Sequence, residues 1–233
     1  MADYKLGIPG LDETLSPIRG GTNFLVIGPP MTGKEVLVHN ATYAGLQEGE
    51  AAIMVSTGLS GEDVWKWFQA NGMDLEPAKA RVGVVDCVSQ TIGLSVGDTE
   101  RIKRVSSPVN LTGISVAITG FFEEFWMKRG VRKARLSIHS LSTMLMYSNL
   151  QTVFRFLHVF TGRIKSADAL GFYVIEQGMH DDQTLNTLKQ LADGVLEVKM
   201  EGDQALMRAT ATGKITPWIP FRIEGGRVKA GAR

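Results

Sequence analysis

The stretch Gly28-Pro29-Pro30-Met31-Thr32-Gly33-Lys34-Glu35 constrains this chain more than any other. It follows a short apolar run, Phe24 to Ile27, that reads as a strand. It precedes Lys34 to Glu48, where Val36, Leu37, Tyr43, Ala44 and Leu46 predict a helix and Gly49 a stop. A G-x-x-x-x-G-K pattern between strand and helix is the setting of a phosphate-binding loop. Glycines let backbone N–H groups approach phosphate oxygens, the helix N-terminus favours an anion, and Lys34 is placed to reach the outer phosphates. All eight residues from Gly28 to Glu35 are therefore candidate nucleotide-binding residues.

The remaining pattern agrees with that beginning. Ala51 to Val55, Arg81 to Val85, Arg135 to His139 and Phe172 to Ile175 read as strands. Between them, Glu62 to Ala70, Gly113 to Lys128, Leu150 to Ser166 and Asp182 to Ala192 read as helices, and short strands and turns follow. Asp86 to Leu111 is polar and weakly periodic, which predicts a long surface excursion with one helical turn. Alternating strands and helices followed by a run of strands predict an α/β fold whose mostly parallel sheet is extended by antiparallel strands. At 233 residues and 44% hydrophobic composition the chain suits one domain, residues 1–233. With 25 basic and 24 acidic side chains it has no strong overall field, so nucleic-acid binding would need a local basic patch. No run of about 18 apolar residues suggests a membrane span. A lone Cys87 suits a reducing, cytoplasmic setting.

The residue after the loop lysine is normally Ser or Thr, whose hydroxyl holds magnesium. Here it is Glu35. A carboxylate about 4 Å from a phosphate repels it by about 4 kcal/mol at an effective dielectric near 20. Glu35 thus either weakens nucleotide binding or serves as an unusual metal ligand, and the first reading is preferred.

Upstream, Leu6-Gly7-Ile8-Pro9-Gly10-Leu11-Asp12-Glu13-Thr14-Leu15 resembles the opening of KaiC-like and RadA-like members of the RecA superfamily. The resemblance continues through Ala192-Asp193-Gly194-Val195-Leu196-Glu197-Val198 to Pro220-Phe221-Arg222-Ile223, nearly the whole chain. It implies a RecA-like P-loop fold with C-terminal antiparallel strands, ATP or ADP as ligand, and an archaeal source. It also implies a partner that is a second copy of the chain or an active RecA/KaiC-like paralogue.

Carried over position by position, that resemblance breaks at the chemistry. Gly58 and Leu59 stand where the family has the acidic pair that polarises the attacking water, and Glu62 and Asp63 read as the first turn of a helix. His139 stands where the family's metal-holding aspartate belongs, and imidazole is a poor magnesium ligand. The simpler expectation for it is a buried, hydrogen-bonded histidine. His180 with Asp181 and Asp182 would be further metal ligands, but the two acids read as a helix cap. Thr210 and Thr212 replace a basic pair that reaches a neighbouring subunit's nucleotide, with Lys214 two residues beyond.

Losing all these groups should cost phosphoryl transfer many orders of magnitude. The expectation is a pseudo-ATPase with a regulatory or assembly role, holding ATP or ADP without hydrolysis and without a sound magnesium site. One alternative is an ATPase with relocated groups, Glu35 on the metal and Asp86 or Glu176 as second acid. The other is a DNA-binding recombination accessory using Lys128, Arg129, Arg132, Lys133 and Arg135. Trp65 and Trp67 cannot share one helix face, which suggests a surface or subunit contact for one of them. Met144 and Met146 read as packing in a loop after the His139 strand.

Overall fold

In the computed structural model, which describes residues 2–231, strands β1 (Asp3–Tyr4) and β2 (Ile18–Arg19) form a small ribbon around helix α1 (Leu11–Leu15). The main sheet is built by β3 (Asn23–Gly28), α2 (Lys34–Gln47), β4 (Ala51–Ser56), α3 (Gly61–Ala70), β5 (Val82–Asp86), β6 (Ile102–Arg104), α4 (Leu111–Glu123), β7 (Ala134–His139), α5 (Leu141–Tyr147), α6 (Leu150–Ser166), β8 (Leu170–Glu176) and α7 (Asp182–Lys189). Strands β9 (Gly194–Glu201), β10 (Gln204–Ala211), β11 (Lys214–Ile215), β12 (Ile219–Glu224) and β13 (Arg227–Ala230) follow. Their order is β13-β12-β10-β9-β3-β8-β7-β4-β5-β6, with β11 also on β10. Pairings from β9 across to β6 are parallel. Those that add β10, β11, β12 and β13 are antiparallel. This is the expected mostly parallel sheet with an antiparallel extension.

The central strands are buried along their whole length because helices cover both faces. Alternation sends Leu25, Ile27, Ile53, Val55, Leu136 and Ile138 to one side, where Ile114, Phe121, Val153 and Leu157 of α4 and α6 meet them. Phe24 and Val26 face the other side, with Leu37, Val38 and Ala41 of α2. On that same side Val64 and Phe68 of α3 pack on Ala52, Met54 and Val84.

Three local expectations are corrected. The excursion after Asp86 contains β6, whose outer edge is closed by Thr99 N–H on Ile102 O and Asp98 Oδ1 on Arg104 N–H. The segment after His139 is helix α5, capped by Ser140, with Met144 buried and Met146 exposed. The basic cluster is no single patch. Lys128 and Arg129 pair with Glu124 in a π-helical turn, and Lys133 Nζ donates to Asp3 O. Arg135 is buried: its Nε lies 2.5 Å from Glu50 Oε2, and its other nitrogens donate to Glu50 Oε1, Ala41 O and Lys5 O. Alternation along β7 turns Arg135 inward toward α2, not outward to solvent.

Candidate functional site

Strand β3 lies between β8 and β9, and the register sets Gly28 opposite Glu176. On the neighbouring strands Ser56 stands opposite both His139 and Asp86. The loop after β3 therefore emerges beside the carboxyl ends of β8, β7 and β4, where open α/β sheets place their sites. Gly33 precedes α2 with φ +80°, a left-handed conformation natural to glycine. A Cβ there would collide with the Ile223 side chain on β12, so the antiparallel hairpin is seated against the loop. Thr32 Oγ1 donates to Pro29 O at 2.8 Å, and Met31 is fully exposed at the tip.

Lys34 is fully buried, and its ammonium is fully engaged. Its Nζ lies 2.5 Å from Glu176 Oε2, 2.9 Å from Glu35 Oε1 and 3.1 Å from Pro29 O. An ammonium has three N–H donors, so none is left over. Glu176 is held in turn, since its backbone N–H donates to Ser142 Oγ, which also meets His180 Nε2 at 2.9 Å. One cation between two carboxylates leaves an excess negative charge at the loop. Burial raises the pKa of Glu35, but the Lys34 hydrogen bond and charge and the residue's own backbone N–H bring it below the usual carboxylate value.

Beside the loop, α2, α3 and the ends of β4 and β7 enclose a cavity of about 290 Å³. Its walls include Glu35, Val36, His39, Val64, Trp67 and His139. The His39 and His139 rings stack at 4.8 Å with planes 21° apart, and the Trp67 ring lies 4.4 Å from His39, tilted by 44°. Contrary to expectation, His139 is not hydrogen-bonded through its ring at Nε2. That atom and His39 Nδ1 are buried without a partner among the described residues. Burial lowers the His139 pKa to about 4 against an opposing pull from Glu35, and burial drives His39 well below its ordinary value. Both rings are neutral at physiological pH.

The other candidates fall outside this arrangement or at its rim. Gly58 and Leu59 form an exposed turn at the cavity mouth, tied by Ser56 Oγ to Leu59 N and O. Asp86 is buried four strands from β3. It accepts from Gly61 N, Val88 N, Ser89 N and Ser89 Oγ, so it does not face the loop as a second acid. Asp181 caps α7 through Thr184 N, as expected. Thr210 lies within β10, Thr212 sits in the turn after it, and Lys214 is exposed on β11 with Nζ 3.5 Å from Ser16 O. Trp65 stacks under Arg101, while Trp67 faces the cavity.

Among the described residues no group of three or more His, Cys, Asp and Glu side chains is placed to hold a metal ion. The residues at the expected magnesium position do not fit that ion. One is a neutral imidazole, and Glu35 is committed to Lys34, whereas magnesium demands oxygen ligands in near-octahedral array. Sequence reasoning missed His39, Val64, Trp67 and Thr143 as parts of one site. Only the i, i+4 spacing of Glu35 and His39 could have revealed that His39 sits beside the altered positions.

Comparisons with known proteins agree with this architecture. A KaiC-like protein from the hyperthermophilic archaeon Pyrococcus horikoshii superposes with a TM-score of 0.70 at 16% identity, covering 98% of each chain. An uncharacterized protein from Pyrococcus horikoshii, solved in complex with an unknown peptide, superposes with a TM-score of 0.75 at 16% identity, covering 97% of this chain and 98% of its own. No curated protein matches. No helix of the described residues is long and apolar enough to cross a membrane. Residues 21–198 match a family of unknown function, DUF7504, so the chain belongs to that family and has a KaiC-like fold of the RecA type.

Proposed function

We propose that this chain is a pseudo-ATPase, a RecA-type scaffold that acts by recognition in a regulatory or assembly role. The observation that carries the reading is the complete engagement of Lys34 by Glu176, Glu35 and Pro29 O. Phosphate would have to displace Glu35 to reach the ammonium, and it would do so against an excess of negative charge. ATP and ADP therefore bind weakly. Magnesium does not strengthen them, because neither the hydroxyl nor the acid that would hold it is present. The single domain presents its surfaces to a second copy or to an active RecA/KaiC-like paralogue. The peptide seen with the Pyrococcus neighbour is in keeping with recognition as the activity of such a fold.

Calorimetric titration with ATP and ADP, with and without magnesium, tests this. The expected result is weak binding that magnesium leaves unchanged, and an affinity gain of about tenfold or more in Glu35→Thr, which frees Lys34. A steady ATPase rate that Lys34→Ala abolishes overturns the proposal.

A further inference from the structure

Large apolar side chains stand in water around the phosphate loop. Met31 is fully exposed at the loop tip, at φ +59°, a left-handed conformation that costs a non-glycine residue about 1–2 kcal/mol. Met146 and Tyr147 at the end of α5 are 64% and 70% exposed, and Met179 after β8 is 47% exposed. Hydrogen bonds gather the three segments that hold them. Gln177 N–H donates to Gly28 O, Glu176 N–H donates to Ser142 Oγ, and His180 Nε2 meets the same hydroxyl at 2.9 Å. Met179 precedes His180, and Met146 lies one turn along α5 from Ser142, on the same helix face. Apolar groups gathered on a surface mark a contact site, and unbranched methionines repack against varied partners.

Charge selects the occupant. Residues 28–35, 139–149 and 176–182 carry the carboxylates Glu35, Glu176, Asp181 and Asp182 and a single cation, Lys34. Lys34 is buried and spent on two of those acids. Cations on flanking elements have carboxylates of their own, Lys66 with Asp63 and Lys199 with Glu201. An acidic partner would be repelled, whereas lysine or arginine beside apolar side chains complements both components of the surface.

We propose that the carboxyl end of the sheet, at Met31, Met146, Tyr147 and Met179, is a docking surface for a basic amphipathic peptide segment of another protein. Its apolar face would lie on the methionines and its basic side chains on the surrounding carboxylates. The inference deepens the recognition role proposed above and rests on it, because a working nucleotide site would have to keep the same loop open to phosphate.

The probe is a synthetic amphipathic helix of leucine and lysine, about four turns long. Methyl spectra of the full chain labelled at methionine read the surface directly. The expected result is saturable shifts of the Met31, Met146 and Met179 signals, with a Kd of about 10 µM or below at low salt. Met127 is the internal control, since it is 84% exposed but sits in the π-helical turn beside Lys128 and Arg129, ahead of β7. Its signal should not move. Met31→Ser combined with Met146→Ser changes exposed side chains alone and should weaken the peptide about tenfold or more. The same helix with glutamate for lysine, and a lysine–serine peptide without an apolar face, should each bind at least about tenfold more weakly. The proposal is overturned if the three signals stay still, if Met127 shifts with them, if the double variant keeps its affinity, or if either control peptide binds as well. Signals that move with protein concentration alone, in a self-association that excludes the peptide, would give the surface to a second copy and overturn it too. Failure of the pseudo-ATPase reading shows separately, as magnesium-dependent ATP turnover by the peptide-free protein. Loss of peptide binding with turnover still absent overturns the docking surface alone.

Discussion

Lys34 and Arg135 are both buried cations; the sequence reads Lys34 as a phosphate-binding group and Arg135, only in an alternative reading, as part of a DNA-binding cluster. The structure turns both inward, in different ways. Arg135 meets a single carboxylate, Glu50, with two nitrogens and donates two further N–H groups to the carbonyls of Ala41 and Lys5. Charge is balanced and neither partner touches solvent appreciably. Lys34 meets two carboxylates, and Glu35, one of them, is 37% exposed. The first arrangement is closed and structural. The second holds surplus acid and one partner that water can reach, which is how an anion site looks when its own chain supplies the anion.

The contrast is broken most severely at the closed pair. Glu50→Ala strands the Arg135 guanidinium in the core and should cost about 3–5 kcal/mol in urea denaturation. Lys34→Ala should cost less, about 1–2 kcal/mol, because Glu35 can turn to solvent. Equal losses would erase the distinction. The imidazoles give a second, comparable handle. With the folded pKa of His139 lowered to about 4, the unfolded chain takes up a proton below about pH 6.5 that the folded chain refuses. Stability is therefore full above that pH and declines as pH falls toward 4, by about 3 kcal/mol for this residue. His139→Phe should flatten that part of the pH–stability curve, and an unchanged curve would mean that the ring titrates freely. Smallest of all is the surface. Arg132→Ala with Lys133→Ala should change stability by less than about 0.5 kcal/mol. In the same double variant no salt-dependent affinity for duplex DNA should be lost, since the basic residues do not form one patch.

Local pattern made most of the fold legible. The loop glycines, the strand alternation and the Asp181 cap all express nearest-neighbour chemistry. Glu176 was also legible as an acid at a strand end, although its contact with Lys34 depends on the Gly28–Glu176 register, which joins residues far apart in the chain. Arg135 was misread because a run of basic residues looks like surface. Its strand period, with Leu136 and Ile138 facing the opposite side, carried the correct signal. Short pieces escaped for a different reason. β6 has three residues and α5 seven, too few for periodicity to emerge, and both are held by tertiary pairing or packing. The cavity was illegible because its residues come from five elements, α2, β4, α3, β7 and α5, and no motif joins them.

The placement of β3 also governs the order in which this molecule can be made. It emerges early in synthesis, yet both its hydrogen-bonding neighbours, β8 and β9, are translated only after residues 170 and 194. Until then the loop-bearing strand has two open edges. Topology of this kind slows folding, because distant segments must meet before the centre of the sheet exists. On the ribosome the nascent chain therefore carries an unfinished apolar strand through most of its elongation, and the Lys34 cage with Glu176 is among the last features to form.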